Sequence, residues 1–506
     1  MANIAPVRPT ALYPFQERDI NSIFERIGKF GSGYHLLYQL PTGGGKTVIF
    51  CEIARRFIET FGQNVTILTH RKELCRQTSR TLTAAGVENR VISSNSKVLQ
   101  KRECPCFVAM VETLKNRLRK NKKVHVDNVG LVIIDEAHHN SFQKVLKQFP
   151  DAFILGVSAT PLSSNLDFPL NKTYNELVIG ENIQSLIDQR FLAKPHTIRQ
   201  AVDLQSLTTG ISGDYTITSS DALYSLAGMQ ELLLESYRAH CENKKTLIFN
   251  AGIATSKNVE HLFSSFGYPI RHLDNRTPDK EREEILKWFK RTKGAILTSV
   301  SILTTGFDEP GIQAIILNRA TTSLTLYHQM VGRGARFLTK KRIFTVVDLG
   351  NNADRFGLWN DTVDWQQAFD DPEGFTASLH TSAAHSEGRS SALTPAIRAL
   401  FPNSVEIGFD MDAAFENDEI SHRRIIQEAI RQHARICIEN AESASRGLEL
   451  AAHLDADIEF RVRKYVKYLG KGTAEYRKWL IEDYKRRLEG LVRRMAGANA
   501  DDVAVD

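Results

Sequence analysis

The sequence predicts an α/β protein: two tandem doubly wound parallel-sheet domains, then a mainly helical C-terminal region. Three observations predict it. Short apolar runs alternate with stretches of helical apolar spacing from residue 34 to 160, and the alternation resumes from 245 to 350. Polar residues gather where those runs end. Beyond about residue 395 the strand-like runs stop and helical spacing takes over.

Taken in order, YHLLYQL (34–40) reads as a short buried strand, and KTVIFCEIARRFIE (46–59) has the apolar spacing of a helix. Between them lies Pro41-Thr42-Gly43-Gly44-Gly45-Lys46-Thr47. Strand, glycine loop, Lys-Thr and helix form a phosphate-binding loop. The glycines let backbone N–H groups wrap a polyphosphate without Cβ clashes, and the helix N-terminus adds partial positive charge. Lys46 would neutralise β- and γ-phosphate oxygens, and the Thr47 hydroxyl would ligate Mg²⁺. ATP and Mg²⁺ are therefore the expected cofactors. The glycine usually found five residues before Gly45 is Leu40 here.

Further strands are expected at NVTILTH (64–70), CFVAMV (106–111), LVIIDEA (131–137) and FILGVSAT (153–160). The second series is KTLIFNA (245–251), GAILTSV (294–300), QAIILNRA (313–320) and RIFTVVDLG (342–350). The expected domains are 1–195 and 223–365, joined by a polar stretch near 196–222. Residues 376–394, rich in Ser, Ala, Thr and His, read as a linker to a helical accessory region at 395–495. Residues 395–460 carry thirteen Asp/Glu against six Lys/Arg, and residues 461–495 carry twelve Lys/Arg against four Asp/Glu. The sign reversal marks the acidic helices as a candidate site for protein partners and the basic block as a candidate for polyanions.

The 506 residues suit two to four domains, and the net charge of +6 permits a polyanionic partner without demanding one. Six scattered cysteines without CxxC spacing read as free thiols in a reducing compartment. No apolar run approaches a membrane span, and the N-terminus has no signal-peptide core, so a soluble, cytoplasmic protein is expected.

LVIIDEAHHN (131–140) supplies the second chemical signal. Asp135 would hold Mg²⁺ through its water shell. Glu136 would orient and deprotonate the attacking water. Alternating side-chain direction at a strand's end would separate the two roles. His138 would link the γ-phosphate side to later motifs, and His139 reads as solvated.

These residues resemble a superfamily 2 nucleic-acid helicase of the DEAH-box type from about Leu12 to Gly357. LYPFQ (12–16) is similar to the adenine-reading motif, with Gln16 on the adenine edge and Tyr13 where that family has arginine. THRKELCRQ (69–77) resembles motif Ia, VAMVETLKNR (108–117) the next strand-contacting motif, and SATP (158–161) motif III, in which Ser158 and Thr160 couple hydrolysis to strand engagement. IFNAGIATSKNV (248–259) resembles motif IV, TSVSILTTGFDEP (298–310) motif V, and QMVGRGAR (329–336) motif VI. The resemblance implies two RecA-like domains. It also implies nucleotide contacts from Gly306 and Asp308, and catalytic roles for Gln329, Arg333 and Arg336. A planar guanidinium from the second domain would bind γ-phosphate oxygens bidentately. ATP binding would then close the cleft and hydrolysis release it.

The finer resemblance, carried by residues 303–336 and 346–365, is to bacterial and phage DNA repair helicases of the RadD kind. Those relatives often add a cysteine-rich zinc segment that this chain lacks. The family implies backbone contacts to nucleic acid, DNA first, from His70, Arg71, Thr113, Asn250 and Thr304, with little base specificity and 3′→5′ movement. An RNA-acting motor and an ATP-gated clamp that remodels without separating strands remain the alternatives. In the basic block, Tyr465, Tyr468, Tyr476, Trp479 and Tyr484 would either stack on bases or fill the core of a helical hairpin.

Overall fold

A computed structural model describes residues 12–92, 104–120, 128–139, 142–163, 168–210, 213–300, 302–303, 307, 309–379, 397, 400–404, 409, 422–469 and 474–501. Its compact units are residues 1–378 and 379–506.

The first unit contains two parallel sheets. Sheet one uses β1 (His35–Gln39), β2 (Asn64–Thr69), β3 (Asn89–Ile92), β4 (Cys106–Met110), β5 (Val129–Asp135), β6 (Phe153–Ser158) and β7 (Glu176–Ile179), in the order β3-β4-β2-β5-β6-β1-β7. Sheet two uses β8 (Lys194–Arg199), β9 (Thr246–Asn250), β10 (Ile270–Leu273), β11 (Ile296–Val300), β12 (Ala314–Asn318) and β13 (Ile343–Asp348), in the order β10-β11-β9-β12-β13-β8. Central strands such as β5, β6 and β9 are buried almost end to end, which is why they are continuous apolar runs rather than alternating ones. Helix Lys46–Phe61 covers sheet one through Ile49, Phe50, Ile53 and Phe57, and it stops at Gly62 in the left-handed conformation.

Register fixes the site. Gln39 pairs with Ser158 and Asp135 with Val157, so the strand ends carrying the glycine loop, the carboxylates and the SATP segment lie side by side. This is the C-terminal edge at which open α/β sheets bind ligands.

Two expectations change here. The stretch 196–222 is not merely a connection, because β8 pairs with β13 along its whole length and belongs to the second sheet. Helix Ile217–Tyr224 follows it, with Leu223 and Tyr224 buried. Part of the expected linker is also ordered: residues 372–379 are helical, while 380–396 lie outside the described residues.

The second unit packs helices His422–Glu439, Ala444–Ala452, Asp455–Leu469 and Ala474–Asp501 around Ile425, Ile430, Leu454, Val462, Leu488 and Val492. Tyr465 and Tyr484 are in that core, so for them the hairpin alternative holds. Tyr476 and Trp479 are exposed and stacked on one another, with centroids 5.9 Å apart. The side chain of Tyr468 lies outside the described residues. A buried polar network ties three of these helices. Asp457 accepts from Arg461 Nε at 2.7 Å and bonds His433 Nε2 at 2.8 Å, and Tyr484 Oη lies 3.0 Å from His433 Nδ1. Among the described residues no helix is long and apolar enough to cross a membrane, and all six cysteines are free and buried.

Candidate functional site

The three glycines after β1 are each required by geometry. Gly43 and Gly45 have φ of 95° and 90°, the left-handed region that side chains avoid. A Cβ on Gly44 would come within 2.8 Å of the Leu40 side chain. One on Gly45 would meet Gln16 Nε2 at 2.6 Å, and one on Gly43 would meet Leu192 at 2.6 Å. The loop is thus pressed between Leu40 below, Gln16 on one side and Leu192 on the other.

Gln16 is buried on helix Pro14–Phe30. Its Oε1 accepts from Tyr13 N at 3.1 Å and its Nε2 donates to Gly44 O at 3.4 Å. Arg56, paired with Glu17 at 2.7 Å, fastens this helix to the one that follows the glycine loop. Tyr13 packs on Phe191, with ring centroids 4.3 Å apart, so an aromatic contact stands where the family has a guanidinium.

Lys46 is half-buried, and its Nζ donates to Leu40 O at 3.2 Å. Burial pulls its pKa down, and the charges of Glu136 and Asp135 pull it back up. Burial raises Asp135, and the neighbouring Glu136 charge raises it further. Burial also pushes Glu136 up, but Lys46, His138 and Arg333 outweigh it and hold Glu136 below its ordinary value. Glu136 is thereby held toward its ionised form in a buried site, the form a general base requires. It is not the next residue of an extended strand, as the sequence suggested. Its φ is +54°, so the chain leaves β5 through a left-handed turn, with Glu136 N donating to Asp135 Oδ1 at 3.0 Å. This turn, not strand alternation, separates the two carboxylates. Glu136 Oε2 is buried without a hydrogen-bond partner among the described residues, 3.5 Å from His138 Nδ1.

His138 has a fixed tautomer. Ser158 Oγ donates to Thr160 O at 2.8 Å, so at the 3.0 Å contact His138 Nδ1 must be the donor. Nε2 is then the acceptor, and Gln329 Nε2 of the second domain donates to it at 3.4 Å. Burial holds the His138 pKa down, at about 4, which keeps this neutral form.

The second domain reaches the loop directly. Arg336 Nη1 donates to Gly43 O at 3.1 Å. Leu192 bridges the Arg336 backbone, and a Cβ on Gly332 would meet Thr42 at 2.9 Å. Arg333 donates to Phe307 O at 2.8 Å, and its charge acts on Lys46 and Glu136. Gln16, Thr42, Gly43, Gly44, Gly45, Lys46, Asp135, Glu136, His138, Ser158, Thr160, Gln329, Arg333 and Arg336 thus converge on one cleft, and Thr47 lies in the first turn of the helix leading from it. Thr304, Gly306 and Asp308 lie outside the described residues.

A second cavity, of about 940 Å³, opens between the two domains away from the glycine loop. His70 and Arg71 line it from the first domain, and Gly252, Arg276 and Arg282 from the second. Thr113 is not among its lining residues and is half-buried on helix Val111–Lys120. The expectation for Asn250 is corrected. It is wholly buried inside sheet two, donating to Thr298 Oγ1 at 2.8 Å and accepting from Asn318 Nδ2 at 2.7 Å, so it has nothing left to offer a strand. His139 is corrected too. It is half-buried, its ring 4.3 Å from both His70 and His138. Phe191 and Leu192 are the residues sequence reasoning missed. No local motif marks them, because their partners Tyr13, Gly43 and Arg336 lie far along the chain.

Residues 10–163 match the family model described as the res subunit of type III restriction enzymes, and residues 228–338 match the helicase conserved C-terminal domain. The chain carries the motor of a superfamily 2 helicase. IRC3 of Saccharomyces cerevisiae, named as an ATP-dependent helicase, is 29% identical over 350 residues, covering 65% of this chain and 49% of that protein. A 51.5 kDa protein of a Lactococcus phage is 28% identical over 338 residues, covering 66% of this chain and 70% of the phage protein. The motor thus spans about half the length of the yeast relative. A fragment of an HsdR subunit of a type I restriction enzyme from Vibrio vulnificus has the same fold, with a TM-score of 0.54 at 20% identity, covering 73% of this chain and 69% of that one.

Proposed function

We propose that this motor binds ATP with Mg²⁺, hydrolyses it, and uses the cycle to move along a nucleic-acid strand, DNA in the first place. The observation that carries the reading is the bond from Arg336 to Gly43 O, which brings a second-domain guanidinium onto the phosphate loop. A triphosphate in that loop would lie between Lys46 and Arg336, so its loss would release one domain from the other.

Among the described residues no cluster of three or more His, Cys, Asp or Glu has the form of a metal site. Mg²⁺ carried by a nucleotide keeps several waters and takes one or two protein ligands besides the phosphates. Thr47 and Asp135 would hold it, and it would neutralise charge on the β- and γ-oxygens. The unpaired Glu136 oxygen would accept a proton from the attacking water. Gln329 and His138 would keep the two domains aligned while Arg333 and Arg336 face the γ-phosphate.

DNA is favoured because the first domain matches a restriction-enzyme subunit, and restriction enzymes act on DNA. The kinship to RadD-type repair helicases rests on residues 303–336 and 346–365 alone, and the docking of protein partners on the C-terminal helices rests on their charge pattern. Six buried thiols support a reducing compartment. The test is ATPase activity with single-stranded DNA, duplex DNA and RNA, beside a strand-displacement assay. Stimulation by DNA over RNA supports the reading. RNA stimulation replaces the substrate, and stimulation without displaced product makes the protein a clamp.

A further inference from the structure

Between the interdomain cavity and the hydrolytic carboxylate runs an unbroken file of imidazole rings. His70 lines the cavity, and its Nε2 is buried without a hydrogen-bond partner among the described residues. Its ring is held between His139, at 4.3 Å, and Phe142, at 4.4 Å. His139 in turn packs on His138, at 4.3 Å, and His138 Nδ1 lies 3.5 Å from Glu136. Among the described residues the His139 ring packs on His70 and His138, and the space it fills links the two. Its backbone N–H donates to Glu136 O at 3.2 Å, closing the left-handed turn that sets Glu136.

We propose that His139 is a positioning residue that transmits occupancy of the interdomain cavity to Glu136: a strand engaging His70 sets the His139 ring, and the His139 ring sets His138 and the Glu136 turn. The inference rests on the ATPase reading above and deepens it by naming the residue through which nucleic acid regulates hydrolysis. A packed ring can do this because close-packed groups shift between discrete arrangements rather than deforming smoothly. Ser158 and Gln329 fix His138 from its other sides, so a displacement arriving through His139 is passed to Glu136 rather than absorbed by free rotation.

The test uses the full chain and measures ATP hydrolysis with and without saturating single-stranded DNA. In His139→Ala the ratio of stimulated to basal turnover falls about tenfold, while the KM for ATP and strand affinity by fluorescence anisotropy stay near wild type. His139→Phe, which keeps a ring of similar reach, restores most of the ratio. In a double-mutant cycle, His70→Ala combined with His139→Ala loses no more stimulation than the worse single change, because both lie on one route. Normal stimulation in His139→Ala overturns the proposal, as does a proportionate fall of basal and stimulated turnover or failure of Phe to rescue. A wild-type protein without DNA-stimulated hydrolysis would instead remove the functional reading on which the proposal rests.

Discussion

Glu136 shows how much chemistry one residue can carry. A non-glycine residue at φ +54° is uncommon, and such strain persists only where the surroundings enforce it. Here the turn presents, in a buried site, a carboxylate held below its ordinary pKa, one oxygen of which has no hydrogen-bond partner among the described residues. Glu136→Gln preserves the shape and removes the base, so ATP binding by equilibrium dialysis should persist while turnover falls by roughly 10²–10⁴. Undiminished turnover would end the assignment. Arg336 is argued differently, since its role is to meet charge that develops during phosphoryl transfer. Arg336→Ala should leave ATP bound and lower strand-stimulated hydrolysis by ~10³ or more. Weak ATP binding with normal turnover at saturation would instead make Arg336 a ground-state contact. Lys46, Asp135 and Glu136 were legible in the sequence because a few neighbouring residues define each motif. Asn250 was misread because a motif position says nothing of the buried partners, Thr298 and Asn318, that consume its amide.

Secondary structure was legible where burial is continuous. β1, β2, β5, β6, β9 and β12 are apolar runs because they lie inside their sheets and are buried along nearly their whole length. β3, β7 and β8 sit at or near sheet edges, are short or half-exposed, and show no such run. β8 even contains Pro195, which an edge strand tolerates because the missing N–H need not pair. For that reason its sequence read as a connection. In the C-terminal unit the helices were legible but their polar core was not, since His433, Asp457, Arg461 and Tyr484 come from three separate helices. Burial is the main cause that pushes the His433 pKa down to about 4, with the Arg461 charge adding to it and Asp457 opposing it. The folded value lies below the ordinary 6.5, so the unfolded chain takes up the extra proton between them. Stability from the neutral imidazole is complete above about pH 6.5 and is lost as pH falls toward about 4, by about 3 kcal/mol. Amide exchange over His422–Glu439 in the intact protein, corrected for its intrinsic pH dependence, should quicken at about pH 5 relative to about pH 7. His433→Gln, which has no proton to gain, should flatten that response. An unchanged profile in the variant would show that another group titrates.

At the scale of the two-domain motor, a strand can be held without its bases being read. The interdomain cavity carries the cations Arg71, Lys72, Arg276 and Arg282 among acidic and apolar lining residues. Arg71 is committed to Ile302 O at 2.7 Å, and Arg282 lies near Glu73 and Asp279 at 3.7 and 3.9 Å. Lys72 and Arg276 also line the cavity, and neither forms an ion pair with another described residue. Cations of this kind displace counterions from phosphates, and that free energy depends on salt and not on sequence. Affinity for single-stranded DNA should therefore fall linearly on a log–log plot against salt. Arg276→Ala should weaken binding equally for strands of different sequence and reduce the slope by about 0.7, the share of one phosphate contact. An unaltered slope would mean that Arg276 faces no phosphate. A loss confined to particular base sequences would mean that the cavity reads bases, and the backbone-tracking account of this motor would have to be abandoned.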